Sequence, residues 1–314
     1  MDLTRREFLK LCSASAVGVG VSQVLSPEVV KALDQTAATR PPVIWLQGTQ
    51  CTGCVVSMIN TAHPTIAEVL TKIISLEYQS NIMAASGELA VSYLDMVTEK
   101  AKGEFFLLME GAIPTKDNGV YCTIGERDGK EMTILDTVKE IGPKAKAIIA
   151  VGDCAAFGGI SAAKPNPTGS KPISDIVQGV PIIKLAGCPP HPDWILGTVV
   201  HVLLFGIPEL DKLGRPKMFY GETVHQNCPN YSYFQEGKMA KKFGDKGCLI
   251  ELGCKGPMAN SDCPNRKWNN GVNWCVGAGS PCIGCCSETF PDGNGAFYTA
   301  LPKDQWPKKD SEIA

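Results

Sequence analysis

The sequence predicts an α/β domain, a parallel sheet with helices on both faces, followed by a cysteine-rich domain of largely irregular structure. Three observations lead there. Short apolar runs alternate with helical patterns from residue 41 to about residue 205, as strands joined by crossover helices require. Beyond Phe205-Gly206-Ile207-Pro208 the alternation stops, and the stretch from 212 to 300 is rich in Gly, Pro, Asn and Cys. Such a stretch must be ordered by something other than a large apolar core. The third observation is 14 cysteines in 314 residues. A chain of this length does not need disulfides to stabilise a small core, so the cysteines are expected to do chemistry.

Residues 1–35 stand apart from the fold. Thr4-Arg5-Arg6-Glu7-Phe8-Leu9-Lys10 is a twin-arginine pair followed by apolar and basic residues, and a small-residue apolar stretch runs from Leu11 to Leu25 before Ser26-Pro27. The pattern resembles a twin-arginine export signal, the route of proteins that fold and load cofactors before crossing a membrane. Its apolar part is too short and too rich in Gly and Ser for a permanent anchor. Cleavage is expected near residues 32–38, which removes Cys12 and leaves 13 cysteines.

The α/β domain is placed at 36–210. Its five strands are read at Val43-Ile44-Trp45-Leu46, Ile73-Ile74-Ser75-Leu76, Phe105-Phe106-Leu107-Leu108-Met109, Ala147-Ile148-Ile149-Ala150-Val151 and Pro181-Ile182-Ile183-Lys184-Leu185. Continuous short apolar runs of this kind suit strands covered on both faces. Helical patterns lie between them, notably Glu88 to Ala101 and Ile134 to Ile141. The second domain spans 211–314. With 30 basic against 32 acidic residues, a formal charge of −2, there is no basic surplus to grip a nucleic-acid backbone. No run of about 18 apolar residues suggests a membrane-spanning helix, and the polar stretch after Cys286, with Lys308-Lys309-Asp310, carries no expected C-terminal membrane helix.

Four cysteines of the first domain follow strands. Cys51-Thr52-Gly53-Cys54 comes after the first, Cys154 after the fourth in Val151-Gly152-Asp153-Cys154, and Cys188 after the fifth in Ala186-Gly187-Cys188-Pro189-Pro190. Ligands of open α/β sheets bind beyond the carboxyl ends of the strands, so three loops deliver four thiols to one edge. Glycine beside each cysteine lets backbone amides approach sulfur. Four converging thiolates fit tetrahedral zinc or a 4Fe-4S cube. In the second domain stand His225, Cys228, Cys248, Cys254, Cys263, Cys275, Cys282, Cys285 and Cys286. Divided into fours, His225, Cys228, Cys248 and Cys254 form one set and Cys263, Cys275, Cys282 and Cys285 another, with Cys122 and Cys286 left over. On spacing alone structural zinc serves as well, and disulfides are open to an exported chain. His63, His191 and His201 read as packing or hydrogen-bonding residues. Glu77 and Glu110, read as lying at strand ends near the crevice, either hold backbone amides or relay protons, with the structural role favoured.

The motifs Trp45-x-Gln47-Gly48-x-x-Cys51-Thr52-Gly53-Cys54, Glu110-Gly111, Gly152-Asp153-Cys154-Ala155, Gly187-Cys188-Pro189 and Asn270-Gly271-Val272-Asn273-Trp274 to Pro281-Cys282-Ile283-Gly284-Cys285 resemble, in order and spacing, the small subunit of nickel–iron hydrogenases. The resemblance runs over nearly the whole sequence, including the signal. It implies a flavodoxin-like domain holding a proximal cluster through Cys51, Cys54, Cys154 and Cys188. It further implies a distal cluster on His225, Cys228, Cys248 and Cys254, and a medial one on Cys263, Cys275, Cys282 and Cys285. A large-subunit partner would carry the nickel–iron centre where hydrogen is split or made, so no catalytic residue is expected here. Two departures stand out. Most of the family has proline where this sequence has Cys275, so a medial 4Fe-4S cluster is expected, as in the nickel–iron–selenium (NiFeSe) subgroup, whose selenocysteine would lie in the large subunit. Many members have glutamate where this one has Gln50, whose amide cannot titrate.

Under this reading the chain relays single electrons through three 4Fe-4S clusters, the histidine-ligated one outermost, to a periplasmic cytochrome, for instance of the c3 type, or a similar carrier. Association with a membrane would come through the partner subunit. A subunit related to the quinone-side cluster subunit of respiratory complex I is the redox alternative, and would share only the α/β domain. A zinc-structured exported binding protein is the alternative of another class.

Overall fold

The computed structural model describes Thr4, Arg6, Glu7 and residues 40–312 apart from Asn294 and Ala296. The export signal expected over 1–35 lies, but for those first three residues, outside the described residues.

Alternation along the strands creates two cores from one sheet. Strands β1 (Pro42–Gln47), β2 (Ser75–Gln79), β3 (Phe106–Glu110), β4 (Ala147–Val151) and β5 (Ile182–Leu185) pair in the order β2-β1-β3-β4-β5. Every pairing is parallel. Successive side chains point to opposite faces. Val43 and Trp45 of β1, Phe106 and Leu108 of β3, and Ile149 and Val151 of β4 therefore enter one core. Ile44, Leu46, Leu107, Met109, Ile148 and Ala150 enter the other. Helices α1 (Gly53–Ile59) and α5 (Pro192–Phe205) cover the first face through Val55, Met58, Trp194 and Ile195. Helices α2 (Gly87–Lys100) and α3 (Ile134–Ile141) cover the second through Leu94, Val97, Leu135 and Val138.

The sheet order is the doubly wound, flavodoxin-like one, whose connections diverge between β1 and β3. Four strands and both helices lie within a residue or two of their sequence positions. The second strand is displaced. Ile73 belongs to the preceding helical turn, Val69–Ile73, and the strand runs from Ser75 to Gln79. This strand is at the sheet edge, with half-buried Ser75, Leu76 and Glu77, so it lacks the continuous apolar run by which buried strands are recognised. The buried pair Ile73 and Ile74 supplies that run instead, as the end of the helix that leads in.

After α5 only short helices occur, α6 (Lys217–Tyr220), α7 (Tyr231–Gln235), α8 (Cys263–Arg266) and a few single turns. Two small apolar groups order this region, one around Val224, Leu249, Trp274 and Val276 and one around Phe234 and Ile250. Phe219, Tyr220 and Cys286 join the core of the sheet domain, so the two parts share packing. A buried ionic network reinforces the junction. Arg266 in α8 donates to Asp193 in the first turn of α5 at 2.9 Å and to Asp262 at 2.6 Å, and Trp194 Nε1 donates to Asp262 at 2.8 Å.

Removing one partner of a buried ion pair strands the other charge and costs about 3–5 kcal/mol. Arg266→Ala, which strands both Asp193 and Asp262, is expected to lower the thermal midpoint of the purified protein clearly, whereas exposed Lys146→Ala, removing a surface pair with Glu104, leaves it nearly unchanged. Equal midpoints in the two variants would contradict this account of the junction.

Candidate metal centres

The carboxyl edge of the sheet is built around the divergence of β1 and β3. Cys51 and Cys54 follow β1, and Cys54 lies at the second position of α1. Glu110 ends β3 and is fully buried. Its Oε1 accepts from the Cys54 backbone N–H at 3.1 Å, while Oε2 accepts from Trp45 Nε1 at 3.2 Å and Gln47 Nε2 at 3.0 Å. Glu110 is thus a clamp that fixes the Cys-x-x-Cys turn to the strand behind it. Glu77 has no part at this edge: it lies within β2, accepting from Ser75 Oγ and Tyr93 OH, both at 2.6 Å. Gln50 Oε1 accepts from the Thr52 N–H, so its amide shapes the turn in which Thr52 takes φ +66°.

Cys154 lies in the short helix α4 (Asp153–Phe157) after β4, and Cys188 in the loop after β5. The thiols converge. Cys54 is pushed well up, first by burial, then by Glu110, Cys154, Cys188 and Cys51. Cys188 is pushed up to about 12 by burial and by Cys154, Cys285, Asp153 and Cys51. The glycines make room for sulfur: a Cβ on Gly152 (φ +92°) would stand 2.5 Å from Cys54 Sγ, and one on Gly159 3.0 Å from Cys154 Sγ. Ser161 Oγ reaches Cys154 Sγ at 3.9 Å and donates to the Thr49 carbonyl at 2.8 Å.

His225, Cys228, Cys248 and Cys254 line one pocket, with Val224, Tyr231, Leu249 and Val276 as its apolar wall. The His225 ring stacks edge-on against Phe234 at 4.7 Å and Tyr231 at 5.2 Å. Its Nε2 is buried without a hydrogen-bond partner, and burial lowers its pKa, leaving a neutral nitrogen lone pair suited to a metal. Burial pushes Cys228 and Cys248 up to about 11, each further raised by Cys254. The Asn230 N–H donates to Cys228 Sγ at 3.4 Å.

Cys263, Cys275, Cys282 and Cys285 form the third group. Cys263, Cys275 and Cys282 are all raised by burial first and by Cys285 among their neighbours. Cys275 is the exposed member. Ser261 Oγ donates to Cys263 Sγ at 3.3 Å, and the Gly284 N–H to Cys282 Sγ at 3.4 Å. Cys286 Sγ lies 3.9 Å from Cys285 Sγ, and the hydrogen bond it offers lowers the pKa of Cys285. The three groups adjoin in a row: the Cys188 backbone N–H donates to Cys285 and the Cys282 backbone N–H to Cys254, each lowering the pKa of the thiol it reaches.

Among the described residues no three or more His, Cys, Asp or Glu are drawn together as tightly as a single metal ion needs. Sets of four thiols, or of three thiols and an imidazole, are the donor types that metal–sulfur groups take. His191 and His201 are structural: His191 Nδ1 accepts from the Asp193 N–H at 3.0 Å at the start of α5, and His201 Nδ1 meets the Gly206 carbonyl at 2.9 Å. Cys122 packs against the second core. Three buried groups of the sites carried no assigned role in the sequence: Asp153, Arg215 and Lys255. Charge beside a cysteine was visible for Asp153 and Lys255, but their burial was not.

A parallel α/β sheet with thiols at its divergent edge defines a class of redox subunits. Accordingly, residues 51–202 match the family described as the 20 kDa subunit of NADH–ubiquinone oxidoreductase. Residues 220–298 match the C-terminal domain of NiFe/NiFeSe hydrogenase small subunits, a domain that the complex I alternative lacks. The sequence is 48% identical to the periplasmic NiFeSe hydrogenase small subunit of Desulfomicrobium baculatum, over 96% of this chain and 100% of that one. It is 45% identical to the periplasmic NiFe hydrogenase small subunit 1 of Nitratidesulfovibrio vulgaris, over 94% and 93%. The structure of NiFeSe hydrogenase from Desulfovibrio vulgaris Hildenborough superposes with a TM-score of 0.81 at 47% identity, covering 84% of this chain and 99% of that one. The protein belongs to the hydrogenase small-subunit family.

Because a side chain at Gly152 collides with Cys54 Sγ and strains a positive φ, Gly152→Ala is expected to disturb the first site alone. Iron bound per chain should then fall in that variant relative to the parent, without loss of all of it. Full iron content in that variant would show that the cradle tolerates a methyl group.

Proposed function

We propose that this chain is the electron-transfer subunit of a periplasmic NiFe/NiFeSe hydrogenase, linking the hydrogen-activating centre of a large subunit to an external redox partner. The single observation that carries the reading is the row of three four-ligand groups, joined where Cys188 meets Cys285 and where Cys282 meets Cys254. Cys51, Cys54, Cys154 and Cys188 hold the proximal cluster; Cys263, Cys275, Cys282 and Cys285 the medial; His225, Cys228, Cys248 and Cys254 the distal. Bound there, 4Fe-4S clusters take up and release single electrons.

The chain's own groups do the rest. Glu110 sets the first turn through the Cys54 N–H. Donors to Cys282, Cys228 and Cys263 stabilise negative charge on sulfur and so tune potential. The apolar wall around His225 limits water at the outer site. A neutral imidazole in place of a fourth thiolate leaves that site one negative charge poorer, which suits the end where electrons leave. Loading before export agrees with the twin-arginine pattern at Arg5-Arg6, and a cytochrome is the carrier expected outside. No helix among the described residues is long and apolar enough to cross a membrane.

Iron analysis of the purified two-subunit enzyme tests the whole reading: about twelve irons per small subunit are expected, and a protein with zinc and no iron would end it. Cys275 tests the middle of the row. Its φ of −51° lies within the range proline adopts, so Cys275→Pro should fold, lose one ligand and leave a three-iron cluster. Electron paramagnetic resonance of the oxidised variant should show a three-iron signal absent from the parent. A parent that already shows it would remove Cys275 from the ligands, and the same signal from Cys286→Ser instead would move the assignment to Cys286.

A further inference from the structure

Lys255 is 1% exposed and lies where the second and third sites meet. Its backbone N–H donates to the Cys282 carbonyl at 2.7 Å. It directly follows Cys254, and the turn Cys282–Cys285 closes over its stem so tightly that a Cβ on Gly284 would stand 2.9 Å from Lys255 Cβ. The Nζ donates to the carbonyls of Gly253 at 3.3 Å, Phe297 at 3.3 Å and Thr299. An ammonium has three donors and no acceptor, and three carbonyls take all three, which is the arrangement of the charged form.

Carbonyl oxygens satisfy those hydrogen bonds but bring no net charge. Among the described residues no carboxylate forms an ion pair with Lys255. Glu251, four residues earlier in the chain, pairs with Lys241. A buried charge is kept only with an opposite charge or a metal site at hand. The groups beside Lys255 that can supply negative charge are the thiols of Cys254, its neighbour in the chain, and of Cys282, whose carbonyl accepts its N–H at 2.7 Å, one from each site.

We propose that Lys255 is the built-in positive counter-charge shared by the medial and distal thiolate sets, a positioning residue that raises the reduction potentials of both clusters. This rests on the ligand reading above. The direction follows from Coulomb's law: a cation beside a redox centre favours the form that has gained an electron, and burial keeps solvent from screening it. The proximal set, which adjoins the medial one at Cys188 and Cys285, has no thiol beside Lys255 and is expected to be outside this effect. The consequence is a bias along the row, with the two outer sites made better electron acceptors than their ligands alone would make them.

The test is a potentiometric titration of the purified two-subunit enzyme, followed by electron paramagnetic resonance, with iron measured on every sample. About twelve irons in the parent, beyond the iron of the large-subunit centre, would show three four-iron clusters to be present whatever Lys255 does. Lys255→Gln keeps amide donors for the carbonyls and removes the charge; Lys255→Arg keeps the charge. With iron retained, Lys255→Gln should lower two of three midpoint potentials and leave the third in place, and Lys255→Arg should hold all three near the parent. Three unchanged potentials in Lys255→Gln, or an equal fall in Lys255→Arg, would overturn the proposal. Should Lys255→Gln lose iron, loss confined to two sites and restored by Lys255→Arg sustains the counter-charge. Loss from all three sites, or loss in both variants, reduces Lys255 to a staple for the segment 297–299.

Discussion

Crowded, buried thiols are the constraint on which the rest of the architecture depends. Each of Cys54, Cys188, Cys228, Cys248, Cys254, Cys263 and Cys282 is pushed up first by burial, and most are pushed further by a neighbouring thiol. Such a group ionises readily only when a cation shares the space, and a coordinating metal deprotonates a thiol outright. Glycines that clear space for sulfur, amides and hydroxyls aimed at it, and a neutral histidine with a free Nε2 are all answers to the same problem. Without a metal these features would be costs in stability. With one they form a prepared coordination shell.

The two halves solve the problem differently. The sheet domain provides rigidity from its strands, so its ligands can sit on short loops at the carboxyl edge, with Glu110 tying the first of them down. Among its described residues the second half has no sheet. Its ligands hang on single helical turns whose own apolar groups are small, and it borrows order from the first half through Phe219, Tyr220, Cys286 and the Arg266 network. Metal ligation would supply the remainder, as in other small domains lacking a sufficient core.

Much of this was legible in the sequence because burial on both faces writes itself as an apolar run. Residues 147–151 and 134–141 were readable to the residue. The edge strand Ser75–Gln79 was not, since Glu77 and Gln79 break the run and the apolar pair Ile73-Ile74 belongs to the turn before it. The twelve candidate ligands were proposed from spacing and resemblance; in the structure His225, Cys228, Cys248 and Cys254 line one pocket, and thiols of the other two sets lie in one another's field. What spacing could not convey is how long-range packing treats charge. Lys255 and Arg266 look like ordinary surface residues in a polar stretch, yet both are buried, because segments distant in sequence close over them.

Asp153 shows how the two junctions of the row differ. Both of its carboxylate oxygens are buried without a hydrogen-bond partner, beside Cys154 and within the field of Cys188 and Cys285. Burial raises its pKa first, Cys285 raises it further, and Arg215 opposes them. Arg215 is held nearby, donating to Asp211 at 2.8 Å and to the Cys286 carbonyl at 3.0 Å. The inner junction is therefore lined by an acid whose charge is suppressed, and the outer junction by a lysine whose three donors are all taken. Under the proposed ligation the thiolates would carry negative charge at both places, so an acid that burial holds back from ionising would add less repulsion at the first, while a lysine bound to three carbonyls would offset it at the second. Two neighbouring gaps, bridged by the same kind of cysteine pair, are thus given unequal electrostatic settings by residues that ligate nothing.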